Sequence, residues 1–236
     1  MSDFDRNVAA YPGAARTVAV DAGLRAHMIR VYNYMAGGVA LTGVVAYFTN
    51  AYFGQALYGS PLMYVLIFAP LALVFFLSFR IQHIQAGTAR ALFFVYAALV
   101  GISLATIFMV YTHTSITRVF FISAASFGAL SLYGYTTQRD LSGLGAFLIM
   151  GLVGLILASI VNIFVNSGAM AFIISVIGVL VFAGFTAYDT QAIKEMYDEM
   201  DDSTITGRKA VMGALKLYLD FLNLFLFILQ LLGDRR

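Results

Sequence analysis

The chain has 236 residues, of which 61% are hydrophobic and only 11% are charged. Soluble domains contain about a quarter charged residues, so this composition excludes an ordinary soluble domain and indicates an integral membrane protein. The length is sufficient for roughly six or seven helices that cross a bilayer and are joined by short loops. The absence of cysteine excludes disulfides and thiolate chemistry, and the net charge of +2 does not indicate a nucleic-acid partner.

The N-terminal segment, residues 1–30, carries charged side chains throughout and has no apolar stretch. This pattern is not that of a cleavable signal peptide. It predicts a polar cytoplasmic tail, with a helix at the membrane interface near its end as a further option. Residues 31–236 are predicted to form a single transmembrane domain.

Gaps between charged residues outline the membrane spans. The uncharged interval 31–79 has room for two helices with a turn at residues 50–60. The interval 141–188 again has room for two helices, with a turn at residues 166–168. The sequence therefore predicts an all-α polytopic membrane protein with seven transmembrane helices. The remaining predicted spans are residues 91–111, 119–135 and 210–232.

The last span presents a difficulty of length and charge. The uncharged stretch 221–233 alone is too short to cross the hydrocarbon core. A helix that starts near Lys209 is long enough, but it brings Lys216 and Asp220 into the membrane on one face, four residues apart. A helix at the centre of the bundle, lining a polar cavity, accommodates these charges best. A re-entrant segment is the alternative.

Basic residues in the loops predict the orientation of the chain. Arginine and lysine are concentrated in the N-terminal segment and in the second, fourth and sixth loops. The positive-inside rule then places the N-terminus in the cytoplasm. In this topology Asp189 lies at the end of span six and Asp220 lies early in span seven. Both are therefore expected in the cytoplasmic half of the membrane.

Asp189 and Asp220 are the main candidate functional residues, because an ionised carboxylate in hydrocarbon costs several kcal/mol. As one site they would share a proton and, when deprotonated, attract a hard cation such as Ca²⁺ transiently. The alternative is that Asp189 is a solvated helix end and that Asp220 merely pairs with Lys216. Arg80 ends span two on the same side, where it can either bridge the acids or only set the topology.

An acidic loop follows the sixth span. Its spacing does not match an EF-hand, which needs a glycine midway. The loop is either a solvated connection or a feature that concentrates cations at the cytoplasmic mouth. Its acidic residues are Glu195, Asp198, Glu199, Asp201 and Asp202.

The three histidines give no indication of a metalloenzyme. His27 and His83 are predicted on the cytoplasmic side and His113 on the opposite side, so they cannot form one three-histidine zinc centre. The sequence contains no recognisable nucleophile elbow either. These observations favour a protein that is not an enzyme and has no bound cofactor.

The sequence resembles the bacterial branch of the Bax inhibitor (transmembrane Bax inhibitor motif) family over about residues 25–232. The resemblance is carried by the runs at residues 133–142, 151–162, 187–191 and 217–221. It implies a seven-helix fold with the last helix in the centre and a pH-sensitive calcium leak. It also implies that Asp189 and Asp220 form a titrating pair, and that Arg80 acts as its latch.

The leading hypothesis is therefore a cation leak, for calcium above all, in the bacterial inner membrane, gated by protonation of the aspartate pair. Its partners would be the lipid bilayer, calcium ions and protons. One alternative is a non-transporting modulator of protein quality control that binds a membrane protease. Another is an intramembrane hydrolase, which would contain zinc.

Overall fold

The computed structural model describes residues 12–57 and 60–236, and within this part of the chain the fold is helical. Seven of the helices are long, and a one-turn helix, α4, continues the direction of α3. A 3₁₀ turn, Ile81–His83, follows α2. The helices are α1 (Pro12–Leu57), α2 (Pro61–Arg80), α3 (Ala86–Leu104), α4 (Ile107–Val110), α5 (His113–Thr136), α6 (Ser142–Val165), α7 (Gly168–Glu195) and α8 (Ser203–Leu232).

Six stretches among the described residues are long and apolar enough to cross a membrane, and α3 with α4 counts as one of them. The seventh long helix, α1, has 46 residues and extends about 69 Å at 1.5 Å per residue. It packs along α3 and α8, which are two of the membrane spans. The prediction of an all-α polytopic membrane protein is confirmed; of the seven transmembrane helices predicted, six have matching apolar spans among the described residues, and α1 is the seventh long helix.

The start of the chain differs in detail from the predicted boundaries. Residues 12–30 are helical and continuous with the first predicted span, so residue 31 lies inside α1. Residues 1–11 lie outside the described part of the chain. The turn predicted at residues 50–60 is narrower, because α1 continues to Leu57 and α2 begins at Pro61. Proline suits this first helical position, where its missing N–H is not needed. Residues 58–59 again lie outside the described part.

The last helix is the central one. In its most apolar stretch, 56% of the residues of α8 are buried, against 11–33% in the other five spans. It packs against α1, α3, α5 and α7. It is also one continuous helix of 30 residues, about 45 Å long, as expected for a full crossing rather than a re-entrant segment. Tyr218 and Asp220 of α8 are therefore surrounded by protein instead of lipid.

Close packing of α5 against α7 depends on a glycine. A Cβ atom at Gly134 would lie only 2.2 Å from the carbonyl oxygen of Ala187. A Cβ atom at Gly128, earlier on the same helix, would have nothing within 4 Å. The absence of a side chain at Gly134 thus sets the position of α7 two residues before Asp189.

We expect Gly134→Ala to lower the free energy of unfolding by about 1–3 kcal/mol, because the backbone of α7 must move away from the new methyl group. The matched variant Gly128→Ala should leave stability unchanged or slightly raised, since alanine favours the helix. Unfolding of both variants in detergent, followed by circular dichroism, measures the difference. Equal stabilities would contradict the close approach of α5 and α7.

Candidate functional site

The structure brings together the two acids singled out in the sequence. Asp189 on α7 and Asp220 on α8 face each other, and their side chains are close enough to share a hydrogen bond. The residues are only 8% and 5% exposed. Within the described part of the chain, Oδ2 of Asp220 is buried without a hydrogen-bond partner. Two carboxyl groups are thus adjacent at the interface between the central helix and α7.

Neighbouring polar side chains on α7 satisfy their own hydrogen bonds locally. Thr186 donates its hydroxyl to the carbonyl of Phe182 at 2.8 Å, and Thr190 donates to the carbonyl of Thr186 at 2.7 Å. Bonds of this kind to the preceding helical turn let hydroxyl groups lie in an apolar helix. They leave Asp189 as the polar group of this face that needs a partner from another helix.

That partner is Lys216. Its Nζ atom lies 3.2 Å from Oδ1 of Asp189, and its side chain is 38% exposed. The sequence allowed a pair between Lys216 and Asp220 within α8, but the ion pair found here joins α8 to α7. The bridge therefore holds two helices together across the carboxyl pair.

Arg80 lies at the end of α2, and its side chain is exposed. Among the described residues, no ion pair connects it to Asp189 or Asp220, so the predicted arginine latch is not formed in this arrangement. The next residue, Ile81, is buried.

Two polar residues of α7 that sequence reasoning missed hold the end of α5 and the loop between α5 and α6. The side chain of Gln191 accepts a hydrogen bond from the N–H of Leu141 and donates to the carbonyl of Arg139, both at 2.8 Å. Lys194 donates to the carbonyl of Tyr135 at 2.9 Å. For Gln191 the signal was present in the sequence, because residues 133–142 and 187–191 both carry the family resemblance. The structure shows that these two segments are in contact.

A third missed residue is Tyr218, which is fully buried two positions before Asp220. Thr42 donates its hydroxyl hydrogen to the carbonyl of Ala97 at 2.8 Å. The Tyr218 hydroxyl, 2.6 Å from Thr42 Oγ1, must therefore be the donor of the bond between them. The Tyr218 ring also packs against Phe93 and Tyr96 at centroid distances of 5.6 and 5.7 Å. α8 is thereby fixed to α1 and α3.

Two cavities reach α8 from opposite ends. The outer cavity, about 450 Å³, lies between α1, α4, α5 and α8, and both Thr42 and Leu222 line it. The inner crevice, about 520 Å³, lies between α2 and the first half of α8, and Lys216 lines it. The part of α8 between these levels contains Tyr218 and Asp220. The packed layer between the two cavities therefore lies at the height of the aspartate pair.

The acidic loop has structural roles at several of its positions. Asp202 caps α8 by accepting the N–H groups of Ile205 and Thr204, and these bonds hold the pKa of Asp202 below its usual range. Asp201 pairs with Lys209 at 2.5 Å. No cluster of three or more metal-binding side chains occurs in the described part of the chain. Three further acidic residues, Glu195, Asp198 and Glu199, are exposed.

The histidines lie apart, as their positions in the sequence predicted. His27, in the first half of α1, is buried and packs against the Tyr197 ring at 5.8 Å. Burial, followed by the charge of Arg30, lowers the pKa of His27, which keeps the imidazole neutral. His113 begins α5 at the other end of the bundle, and His83 ends the 3₁₀ turn.

We expect Tyr218→Phe to lower the free energy of unfolding by about 1 kcal/mol, because it removes one buried hydrogen bond while Thr42 keeps its bond to Ala97. The matched control is Tyr133→Phe, since Tyr133 is 49% exposed and should be neutral. Chemical unfolding of the detergent-solubilised protein measures both. A control variant that loses as much stability as Tyr218→Phe would contradict this role of the Tyr218 hydroxyl.

Comparison with known proteins finds relatives over nearly the whole chain. The sequence model of the family described as inhibitor of apoptosis-promoting Bax1 matches residues 24–236. The uncharacterized protein RP147 of Rickettsia prowazekii (strain Madrid E) is 47% identical over 220 residues, which cover 92% of each chain. The inner membrane protein YbhL of Escherichia coli (strain K12) is 45% identical over 231 residues, covering 96% of this chain and 99% of YbhL. An uncharacterized protein of Caulobacter vibrioides is 43% identical over the full length of both chains.

Proposed function

The chain belongs to the Bax inhibitor family, and we propose that it is a pH-sensitive calcium leak channel in the bacterial inner membrane. The location is supported by the Escherichia coli relative, whose name describes an inner membrane protein. The observation that carries the activity is the adjacent, buried pair of Asp189 and Asp220. Ionisable groups inside membrane spans are costly and typically mark ion pathways or proton relays, so such a group is a candidate functional residue by default.

The pair has the chemistry of a proton-controlled cation site. Two carboxylates in contact cannot both be ionised at low cost, so they hold one proton between them. Carboxylate oxygens are also the ligands that Ca²⁺ prefers. Among the described residues, Oδ2 of Asp220 has no hydrogen-bond partner. This oxygen can receive either the proton or a passing cation.

Lys216 provides the means of closure. When Asp189 is ionised, the bridge to Lys216 joins α7 to α8 beside the packed layer around Tyr218. Protonation of Asp189 removes the negative charge and weakens the bridge. Because the Lys216 side chain already borders the inner crevice, it can turn into that space without disturbing the core. The two helices are then free to separate at the height of the aspartate pair.

The acidic loop supplies the cytoplasmic mouth in this proposal. Asp201 is neutralised by Lys209 and Asp202 is used as a helix cap, so the attraction of cations depends mainly on the exposed Glu195 and Asp198. Exposed charges of one sign raise the local concentration of counter-ions. The loop directly follows α7, which carries Asp189.

We expect Asp220→Asn to make calcium flux into proteoliposomes independent of pH over the range in which the wild type is gated, because Asp189, left with Lys216 and no second carboxylate, stays ionised there and keeps its bridge. For the wild type, flux should rise as the pH falls. For the variant, the ratio of acidic to alkaline flux should fall to about one, since the coupled titration is gone. Asp140→Asn, an exposed loop acid on the same side, is the control and should keep the wild-type profile.

An unchanged pH profile in Asp220→Asn would overturn the gating mechanism. A wild-type protein that leaks no calcium at any pH, but copurifies with a membrane protease, would instead favour the non-transporting alternative.

A second pair of variants tests which basic side chain, Lys216 or Arg80, pairs with the ionised aspartates in the closed state. We expect Lys216→Gln to raise calcium flux at alkaline pH, because the ionised Asp189 loses the bridge that closes the path. Arg80→Gln removes one positive charge from the exposed end of α2 and should have little effect. Fluxes are compared in proteoliposomes with equal protein content. A larger effect of Arg80→Gln would show that the closed state uses the arginine latch implied by the family resemblance.

A further inference from the structure

The inner crevice has a lining that the proposed ion path does not use. We propose that it binds the headgroup of an anionic phospholipid from the cytoplasmic leaflet. The crevice lies where α2 ends and α8 begins, which is the level of the predicted cytoplasmic membrane surface. Basic pockets between transmembrane helices on this side are suited to acidic lipid headgroups. The inference stands independently of the calcium leak.

The shape and lining suit a molecule that is anionic at one end and apolar at the other. Arg208, Met212 and Lys216 recur every four residues, so they form one row along α8. This row is about 12 Å long and begins at the cytoplasmic end. Ile81 and Ile205 add apolar surface. A phosphate near Arg208 would leave the glycerol and acyl chains to follow the row past Met212 into the bilayer.

Charge in the crevice favours an anion. Three basic residues, Arg208, Lys209 and Lys216, line it together with neutral side chains. Lys209 and Lys216 have carboxylate partners, Asp201 and Asp189. Calcium ions would be repelled by this lining, so the crevice is poorly suited to be the cation entrance.

Arg208 is the basic residue of this set that forms no ion pair among the described residues, although its charge acts on the nearby Asp202. Its Nη1 donates to the carbonyl of Gln82, while its Nε is buried and has no hydrogen-bond partner in the described part of the chain. A guanidinium presents its donors as a planar fork that matches two phosphate oxygens. A phosphodiester in the crevice would bind the terminal Nη groups of Arg208, and a turn of the side chain would also open Nε to it.

The test is a thermal-shift titration of the detergent-solubilised full chain with phosphatidylglycerol and with phosphatidylcholine of the same acyl chains. We expect saturable stabilisation by phosphatidylglycerol at concentrations where phosphatidylcholine has little effect. Arg208→Gln should weaken the apparent affinity for phosphatidylglycerol about tenfold, the effect of losing one charge-assisted contact. Arg90→Gln removes an exposed charge at the same end of the bundle and should leave the affinity unchanged.

A further variant and a further ligand distinguish specific lipid binding from the alternatives. Arg208→Lys keeps the charge but loses the fork, so an intermediate affinity supports the proposal even if Arg208→Gln does not fold. Equal stabilisation of the wild type by both lipids would overturn it. Equal losses in Arg208→Gln and Arg90→Gln would also overturn it, since they would indicate general attraction of acidic lipid to basic residues. Saturable stabilisation by inorganic phosphate alone would assign the crevice to a soluble anion and contradict the lipid.

Discussion

The contact between two carboxyl groups inside the helix bundle is the constraint on which the rest of the structure depends. Burying Asp189 and Asp220 side by side is costly unless a proton, a cation or a basic side chain compensates. The fold meets this cost by placing α8 at the centre, away from lipid, and by bringing Lys216 within 3.2 Å of Asp189. Because the ammonium group of Lys216 is the charge that compensates Asp189, protonation of Asp189 directly changes the balance of charge at this site.

The surroundings of the pair are much less adaptable. Gly134 allows α5 to lie directly against α7, and Gln191 holds the loop between α5 and α6. On the other side, Tyr218 fixes α8 to Thr42 of α1. Close-packed interfaces change between discrete arrangements instead of deforming gradually. A small electrostatic change at one bridge can therefore be converted into movement of a whole helix.

Much of the fold could be predicted because hydrocarbon excludes charge. The uncharged intervals located the spans, and the presence of Lys216 and Asp220 in the last span placed it in the centre. The ion-pair partner of Lys216 could not be predicted. Lys216 and Asp220 are four residues apart, which allows an ion pair within one helix. The packing of α7 against α8 instead brings Asp189 within reach of Lys216. For residues 12–30 the sequence offered a helix at the membrane interface near the end of the segment, but not one continuous helix that joins the first predicted span. This polar segment extends α1 beyond the first predicted span, and within it His27 packs against Tyr197.

The central claim is that the aspartate pair binds and releases the proton that controls the path. Infrared difference spectroscopy of the protein in lipid detects the carbonyl band of a protonated carboxylic acid directly. The account predicts a band that titrates over the same pH range as calcium flux and is lost in both Asp189→Asn and Asp220→Asn. A band that titrates in a different range, or that persists in both variants, would contradict it.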